Sequence, residues 1–297
     1  MISIKELEYV NVKYLKMVKY PGDYYAKEAL MNLSKAFKIY EKIYGGSSYT
    51  INFSDGDELF LEIVPSNLAH MLGVDATAIK NAYLELEEEE KNVDWANKMF
   101  IENPRVIGYE VLRELANEKN HDEIIELSHK TSHMIINFYR ISIRSEAFNR
   151  FSGFLNMDFG CINYDPKIYE ENGVDKTYMK AEKFLFVESN ESNAPYFMMG
   201  IAKSETGKPY VETLFADMYT EKMFCKQRIT LPVSVTRENE NSLIRHEATA
   251  SQKLYTYKML KEIAIQYKSN LDIFADYGNV LARQSNEDSK VKMLKRD

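Results

Sequence analysis

The chain contains little of what marks an exported, membrane-spanning or metal-binding protein. Only two of its 297 residues are cysteines, Cys161 and Cys225, and their spacing matches no zinc motif. No apolar run approaches the roughly 18 residues that a membrane-spanning helix needs, and residues 1–6 are too polar for a secretory signal. We therefore expect a cytoplasmic protein, without a membrane span, whose two cysteines are reduced thiols.

The signatures of common nucleotide and hydrolase sites are also missing. The sequence contains no G-x-x-x-x-G-K, no G-x-G-x-x-G and no G-x-S-x-G, so it predicts no P-loop, no Rossmann cofactor and no α/β-hydrolase site. We expect no cofactor.

Positive charge is scarce as well. Lys and Arg number 38 against 45 Asp and Glu, a net charge of −7, which argues against a nonspecific binder of duplex DNA. A nuclease with one local basic patch remains compatible with this balance. Negative charge is concentrated in residues 85–90, a run that is typical of a solvated helix face or an exposed loop.

The residues that are present have the composition of a globular protein, with 45% hydrophobic and 28% charged side chains. Residues 24–44 are predicted to form a helix, because apolar side chains recur at steps of three and four residues before Gly45-Gly46. Residues 48–53 and 59–64 alternate as strands around a Ser-Asp-Gly-Asp turn, which predicts a β-hairpin.

The rest of the chain predicts further helices and strands. Residues 105–148 are helical in pattern with a break near Asn120, and Pro232 interrupts a strand-like run at an edge position or a bulge. The other predicted elements are strands 183–187, 196–201 and 210–215 with a turn at 204–208, and helices 242–267 and 271–283.

This order predicts an α+β fold, with a small antiparallel sheet packed against several helices. We expect one domain over residues 1–236, with a helical insertion near 105–150. A C-terminal helical extension over 237–284 and a disordered tail over 285–297 would follow.

The strongest functional candidate is His70, the only histidine in the first 120 residues. It lies in residues 67–73, which follow the hairpin and predict a short helix start that presents one imidazole for acid or base chemistry. The structural alternative is a histidine that caps or packs. Polar side chains on or beside the later strands could hold a phosphate: Lys180, Lys183, Thr213, Tyr219, Lys226, Gln227 and Arg228.

Several later segments follow the hairpin and the His70 segment in a fixed order. They are residues 178–186, 196–200, 213–215 and 226–231, with Tyr219 before the last. This order resembles the fourth subgroup of the phage-borne nucleases related to barnase, EndoU, the tRNA-cleaving colicins and RelE, over residues 25–236. Met71 stands where that family commonly has leucine, and Leu214 where an aromatic residue is common.

The resemblance implies metal-independent cleavage of RNA, by attack of the 2′-hydroxyl on the adjacent phosphate. His70 would be general base or acid, and the implied phosphate or base contacts are Lys180, Thr213, Tyr219 and Gln227. A descendant of the family without activity is the alternative, because the acidic run and the helices over 105–150 suit RNA poorly. Such a protein would bind a host or defence protein in phage–host conflict through a tyrosine-rich, acidic surface, and it could form homo-oligomers.

Two histidine clusters offer further chemistry. His129 and His133 would share a helix face with Glu126, but a zinc site needs a clear third ligand, so we expect no metal there. Arg245 and His246 would lie at the start of the helix after the sheet, where amide groups favour an anion. They are either a solvated first turn or an addition to the His70 site. The predicted substrate-binding residues are therefore Lys183, Lys226, Gln227, Arg228, Arg245 and His246.

Overall fold

The fold is α+β, as the sequence predicts. The computed structural model describes residues 23–74, 104–130, 138–151, 154–173, 180–191, 194–217 and 220–271. The chain forms two compact units. The first is drawn from residues 1–45, 63–152 and 213–215, and the second from residues 46–62, 153–212 and 216–297. The second unit thus has residues on both sides of the predicted boundary at residue 236.

Helices build the first unit. They are α1 (Asp23–Ile39, continued as a π-helix over Tyr40–Tyr44), α2 (Pro65–Met71), α3 (Pro104–Ala116), α4 (His121–Lys130) and α5 (Phe138–Arg150). The helix predicted over 24–44 is confirmed, and so is the break near Asn120, where a 3₁₀ turn over Glu118–Asn120 separates α3 from α4.

The core of this unit forms where α1 packs against α5. The predicted apolar stripe of α1 is buried, with Leu30, Leu33 and Tyr44 at 0% exposure. The Tyr44 ring packs on Phe148 with 5.2 Å between centroids, and its hydroxyl donates to the Phe151 carbonyl. Burying apolar side chains on one stripe of each helix stabilises this packing.

A four-stranded antiparallel sheet belongs to the second unit, with strand order β2-β1-β8-β9. Its strands are β1 (Ser47–Phe53), β2 (Glu58–Glu62), β8 (Pro232–Asn239) and β9 (Ser242–Glu247). The predicted β1–β2 hairpin is confirmed. Tyr49, Ile51 and Phe53 bury one face of β1, while the alternate residues Ser48 and Thr50 are half-buried on the other face.

The predicted helix over 242–267 is wrong in its first part. Residues 242–247 form β9, which pairs along its length with β8 across a turn at Glu240 and Asn241. The helix α8 (Ala250–Tyr267) begins only at Ala250, where Thr249 and Gln252 form a capping box. Backbone pairing with β8 satisfies the peptide groups of residues 242, 244 and 246 and overrides the local pattern of this segment.

Pro232 lies at a bulge, one of its two predicted positions. It begins β8, opposite Phe53, where the register between β1 and β8 shifts. The alternative of an edge position is wrong, because β8 lies between β1 and β9. Proline lacks a backbone donor, and the first residue of a strand tolerates that loss.

A six-stranded sheet has the order β10-β7-β3-β4-β5-β6. The strands predicted near 183–187, 196–201 and 210–215 are confirmed as β4, β5 and β6. The full set is β3 (Gly160–Asn163), β4 (Lys183–Glu191), β5 (Ala194–Lys203), β6 (Pro209–Asp217), β7 (Arg228–Thr230) and β10 (Asn270–Leu271).

Helices α6 (Pro166–Glu171), α7 (Thr220–Phe224) and α8 (Ala250–Tyr267) also belong to the second unit. Edge-to-face aromatic pairs join helix and sheet there, such as Phe224 with Phe186 at 4.8 Å between centroids.

Some predicted features lie outside the described residues. These are the acidic run at 85–90, residues 272–283 of the last predicted helix and the tail over 285–297; Leu271 belongs to β10. Among the helices that the structure describes, none combines the length and apolar character needed to cross a membrane.

Candidate active site

His70 lies in the last turn of α2, not at the start of a helix as predicted. Pro65 occupies the first turn, where its missing N–H has no helical partner to lose. Leu68, Ala69 and Met71 are buried, whereas the His70 side chain is exposed. The short helix therefore presents an imidazole to solvent, as the sequence suggests.

A glycine turn ends α2 directly after His70. Gly73 has φ +94°; its N–H donates to the His70 carbonyl, and the N–H of Val74 donates to the Ala69 carbonyl. These two bonds form a Schellman motif, which satisfies carbonyls at a helix end. A Cβ on Gly73 would lie 3.3 Å from the Ile141 nitrogen, so glycine also permits the close approach to α5.

Arg144, on α5, connects His70 with Thr213. Its Nη1 donates to the His70 carbonyl oxygen over 2.6 Å, and its Nη2 donates to the Thr213 hydroxyl over 3.4 Å. Arg144 is only 9% exposed. The guanidinium is a rigid fork of donors that can hold two acceptors in a fixed relation. Thus two predicted site residues that are distant in sequence contact one side chain.

This arrangement has the parts for phosphate chemistry. An exposed imidazole can exchange a proton near neutral pH, and a half-buried hydroxyl at Thr213 can donate to a phosphate oxygen. The Arg144 guanidinium lies beside the Thr213 hydroxyl and the His70 backbone carbonyl, and its positive charge favours an anion in their vicinity. A helix C-terminus also favours a cation, so the same guanidinium stabilises the end of α2.

The sequence patterns did not single out Arg144. The signal that could have found it is a charged residue inside the apolar stripe of a helix. Ile141, Ser145 and Phe148 are all fully buried at helical spacing around it. A charge in such a stripe needs a partner, because burying an unpaired charge is costly.

Lys183 and Arg228 align on neighbouring strands around β3 in the six-stranded sheet. Asn163 on β3 pairs with Lys183 on one side and with Arg228 on the other. However, the Lys183 ammonium is engaged: it lies 2.8 Å from Asp57 Oδ2, donates to Asn163 Oδ1 and lies over the Phe53 ring. A bound anion would have to compete with these contacts.

Gln227 has a structural environment. Its side chain is fully buried; Oε1 accepts from the Asp165 N–H and Nε2 donates to the Asp165 carbonyl, both at 2.9 Å. Asp165 in turn caps α6 by accepting from the Lys167 N–H. Gln227 therefore holds the start of α6, and a ligand in solvent does not reach its amide.

The remaining predicted site residues are exposed in the second unit or lie outside the described residues. The Lys180 N–H donates to the Glu212 carboxylate. Lys226 has a φ of +60°, and its N–H donates to the Lys268 carbonyl. Arg245 and His246 lie on β9, so the predicted helix N-terminus around them is absent; Arg245 contacts Glu247 at 3.3 Å. Tyr219 lies outside the described residues.

Metal and thiol chemistry find little support in the part of the chain that the structure describes. No group of three or more His, Cys, Asp or Glu side chains there could hold a metal; His129 lies on α4, and His133 is outside that part. Cys161 is fully buried, and its burial raises the thiol pKa to about 12, so the thiol stays protonated and inert. Cys225 is a half-buried free thiol.

No protein-family model, curated protein or solved structure matches this chain.

Proposed function

We propose that this protein is a metal-independent endoribonuclease. The observation that carries the proposal is the pair of hydrogen bonds from Arg144 to the His70 carbonyl and the Thr213 hydroxyl. Through these bonds one guanidinium holds the Thr213 hydroxyl and the backbone of the residue that carries the imidazole, within one unit. The resemblance to phage-borne nucleases supports the same reaction, in a cytoplasmic protein of phage or mobile-element type.

The reaction consists of one displacement at phosphorus. A base removes the proton of the 2′-hydroxyl, the 2′-oxygen forms a bond to phosphorus, and the bond from phosphorus to the 5′-oxygen breaks as that oxygen takes up a proton. The products are a 2′,3′-cyclic phosphate and a free 5′-hydroxyl. No metal or cofactor is consumed.

In this proposal His70 is the general base or the general acid of the displacement, and Thr213 donates a hydrogen bond to a phosphate oxygen. Arg144 is a positioning residue: it fixes the end of α2 that carries His70, and its charge stabilises the developing negative charge. The proposal does not depend on Tyr219, Lys180 or the basic residues of the second unit.

The test is cleavage of a labelled single-stranded RNA by the full chain in EDTA. We expect a cyclic phosphate end, no cleavage of the matched DNA, and a loss of at least about 100-fold in His70→Ala. Glu262→Gln, at an exposed position of α8, is the control and should keep full activity. Absence of EDTA-resistant cleavage, or equal rates in both variants, would contradict the proposal.

The second candidate function, binding of a host or defence protein, has a separate observation in its favour. The open face of the four-stranded sheet carries exposed Phe60 among the carboxylates of Glu58, Glu62, Glu238 and Glu247. Lys208 pairs with Glu62, and Arg245 pairs with Glu247. Four carboxylates against these two cations give the face a negative charge, which repels RNA and suits a basic protein surface.

Charge reversal on this face distinguishes the two functions. If the second function is correct, a host protein retained by the wild-type chain is released by Glu58→Lys with Glu238→Lys, while His70→Ala has no effect on retention. Retention that is insensitive to the charge reversal would exclude this face as the binding surface.

A further inference from the structure

The strand β9 is an exposed edge. All of its residues are exposed, with Leu243 at 68% and Ile244 at 40%. It is the last strand of its sheet, and of the described strands only β8 pairs with it. An edge strand offers a row of backbone donors and acceptors to another strand.

The hairpin geometry decides which peptide groups point outward. Asn239 and Ser242 close the turn formed by Glu240 and Asn241. In a hairpin with a two-residue turn, the closing pair exchanges both hydrogen bonds, and the bonded pairs then alternate along the strands. The peptide groups of residues 242, 244 and 246 therefore face β8, and those of Leu243, Arg245 and Glu247 face away from the sheet.

We propose that a second copy of this chain pairs with the outer edge of β9 in antiparallel orientation. Two-fold symmetry and the alternation of side chains then require that outward-facing residues pair with outward-facing residues. The registers that pair at least two of the outward-facing residues 243, 245 and 247 have the symmetry axis at Ile244, Arg245 or His246. Charge decides among these three registers.

An axis at Arg245 places this guanidinium opposite the partner's Arg245, which is repulsive. An axis at Ile244 places Leu243 opposite the partner's Arg245. An axis at His246 places Arg245 opposite the partner's Glu247 and repeats the same pair on the other side of the axis, with the two His246 residues opposite each other between the pairs. Two reciprocal ion pairs beside backbone hydrogen bonds make this register the favoured one.

Within one chain, the ion pair between Arg245 and Glu247 is weak. Arg245 and Glu247 contact each other at 3.3 Å, but their side chains are 63% and 68% exposed. Exposed pairs of this kind contribute about 0–1 kcal/mol. Replacing this ion pair within each chain by the two ion pairs across the symmetry axis therefore costs little free energy. Strand pairing also brings the partner's strand beside the exposed Leu243 and Ile244.

Sedimentation of the full chain over a dilution series tests the proposal. We expect a species of twice the 34.6 kDa chain mass at high concentration. Arg245→Glu alone and Glu247→Arg alone should each weaken the dimer by about tenfold or more, because attraction becomes repulsion at both pairs. The double variant Arg245→Glu/Glu247→Arg should restore wild-type association.

The double variant is the matched control, since it contains both substitutions and only their combination preserves opposite charges. Both substitutions are at exposed positions, and circular dichroism checks that the fold is kept in all three variants. A wild-type chain that stays monomeric at every concentration would overturn the proposal. A dimer that neither single reversal weakens would overturn it too.

Discussion

Arg144 donates a hydrogen bond from Nη1 to the backbone carbonyl of His70 over 2.6 Å. The same carbonyl accepts from the Gly73 N–H, so one oxygen joins the end of α2, its glycine turn and the neighbouring helix α5. This carbonyl fixes the backbone at the residue that carries the candidate catalytic imidazole. Four predictions concern this connection and the other polar contacts of the two units.

Arg144→Gln should destabilise the protein and impair the proposed activity. The substitution removes the hydrogen bond from the guanidinium to the Thr213 hydroxyl and weakens the hydrogen bond to the His70 carbonyl. We expect this to lower the free energy of unfolding by about 1–3 kcal/mol. Arg150→Gln, at the exposed end of the same helix, should cost less than about 1 kcal/mol. Urea denaturation measures both changes.

The activity of Arg144→Gln separates positioning from a purely structural role. If Arg144 positions His70 and Thr213, kcat should fall more than KM rises at temperatures where the variant is fully folded. An unchanged kcat in the folded variant would restrict Arg144 to stabilising α2.

Gly73→Ala should be more harmful than a glycine replacement at an open turn. At φ +94° an L residue is strained by about 1–2 kcal/mol, and the new Cβ would also press on Arg140 and Ile141 at 3.3 Å. We expect a loss of about 2–3 kcal/mol in total.

Gly207→Ala provides the matched comparison for Gly73→Ala. Gly207 has φ +78°, and nothing lies within 4 Å of the position that a Cβ would take there, so strain alone should act. Thermal or urea unfolding of the two variants gives the difference. Equal losses would show that the approach of α5 to Gly73 adds nothing.

His121 should make stability depend on pH. Burial lowers the pKa of this histidine below its ordinary 6.5, and its Nε2 lies 3.2 Å from the Ser34 hydroxyl. The unfolded chain therefore binds the proton first as pH falls. The stabilisation is complete above pH 6.5 and is lost progressively as pH falls toward the lowered pKa.

His121→Gln should flatten this part of the stability–pH curve, because it removes the group whose pKa is lowered by burial. Unfolding in urea between neutral and mildly acidic pH measures the slopes. A wild-type curve that is level below pH 6.5, or a slope unchanged by His121→Gln, would contradict the prediction.

Gln227→Ala should reduce stability rather than RNA contacts. The substitution leaves the buried N–H and carbonyl of Asp165 without their partners, with an expected loss of about 1–3 kcal/mol. Lys226→Asn, at the exposed neighbour whose φ of +60° suits asparagine, should be nearly neutral. A Gln227→Ala protein that is fully stable but binds RNA less well would restore the predicted contact role.

Local sequence patterns were sufficient to predict those helices and strands in which the side-chain periodicity and the turn residues indicate the same element. The stripe of α1, the hairpin around Gly56 and the strands β4, β5 and β6 all follow this rule. Residues 242–247 did not, because a short run with Leu243 and Ile244 fits a helix turn as well as a strand. Pairing with β8 supplied the deciding hydrogen bonds. On its other side β8 pairs with β1, so the sheet that contains residues 242–247 also needs the distant residues 47–62.

The amino-acid sequence by itself determined the α+β class, the order of most helices and strands, and an exposed histidine on a short helix after the hairpin. These depend on contacts between near neighbours in the chain, which composition and periodicity record. Only the tertiary structure decided that Arg144 contacts both His70 and Thr213, that Gln227 holds Asp165, and that β9 is an edge strand. Each of these facts joins residues distant in sequence, and no local pattern encodes the partner of a buried polar group.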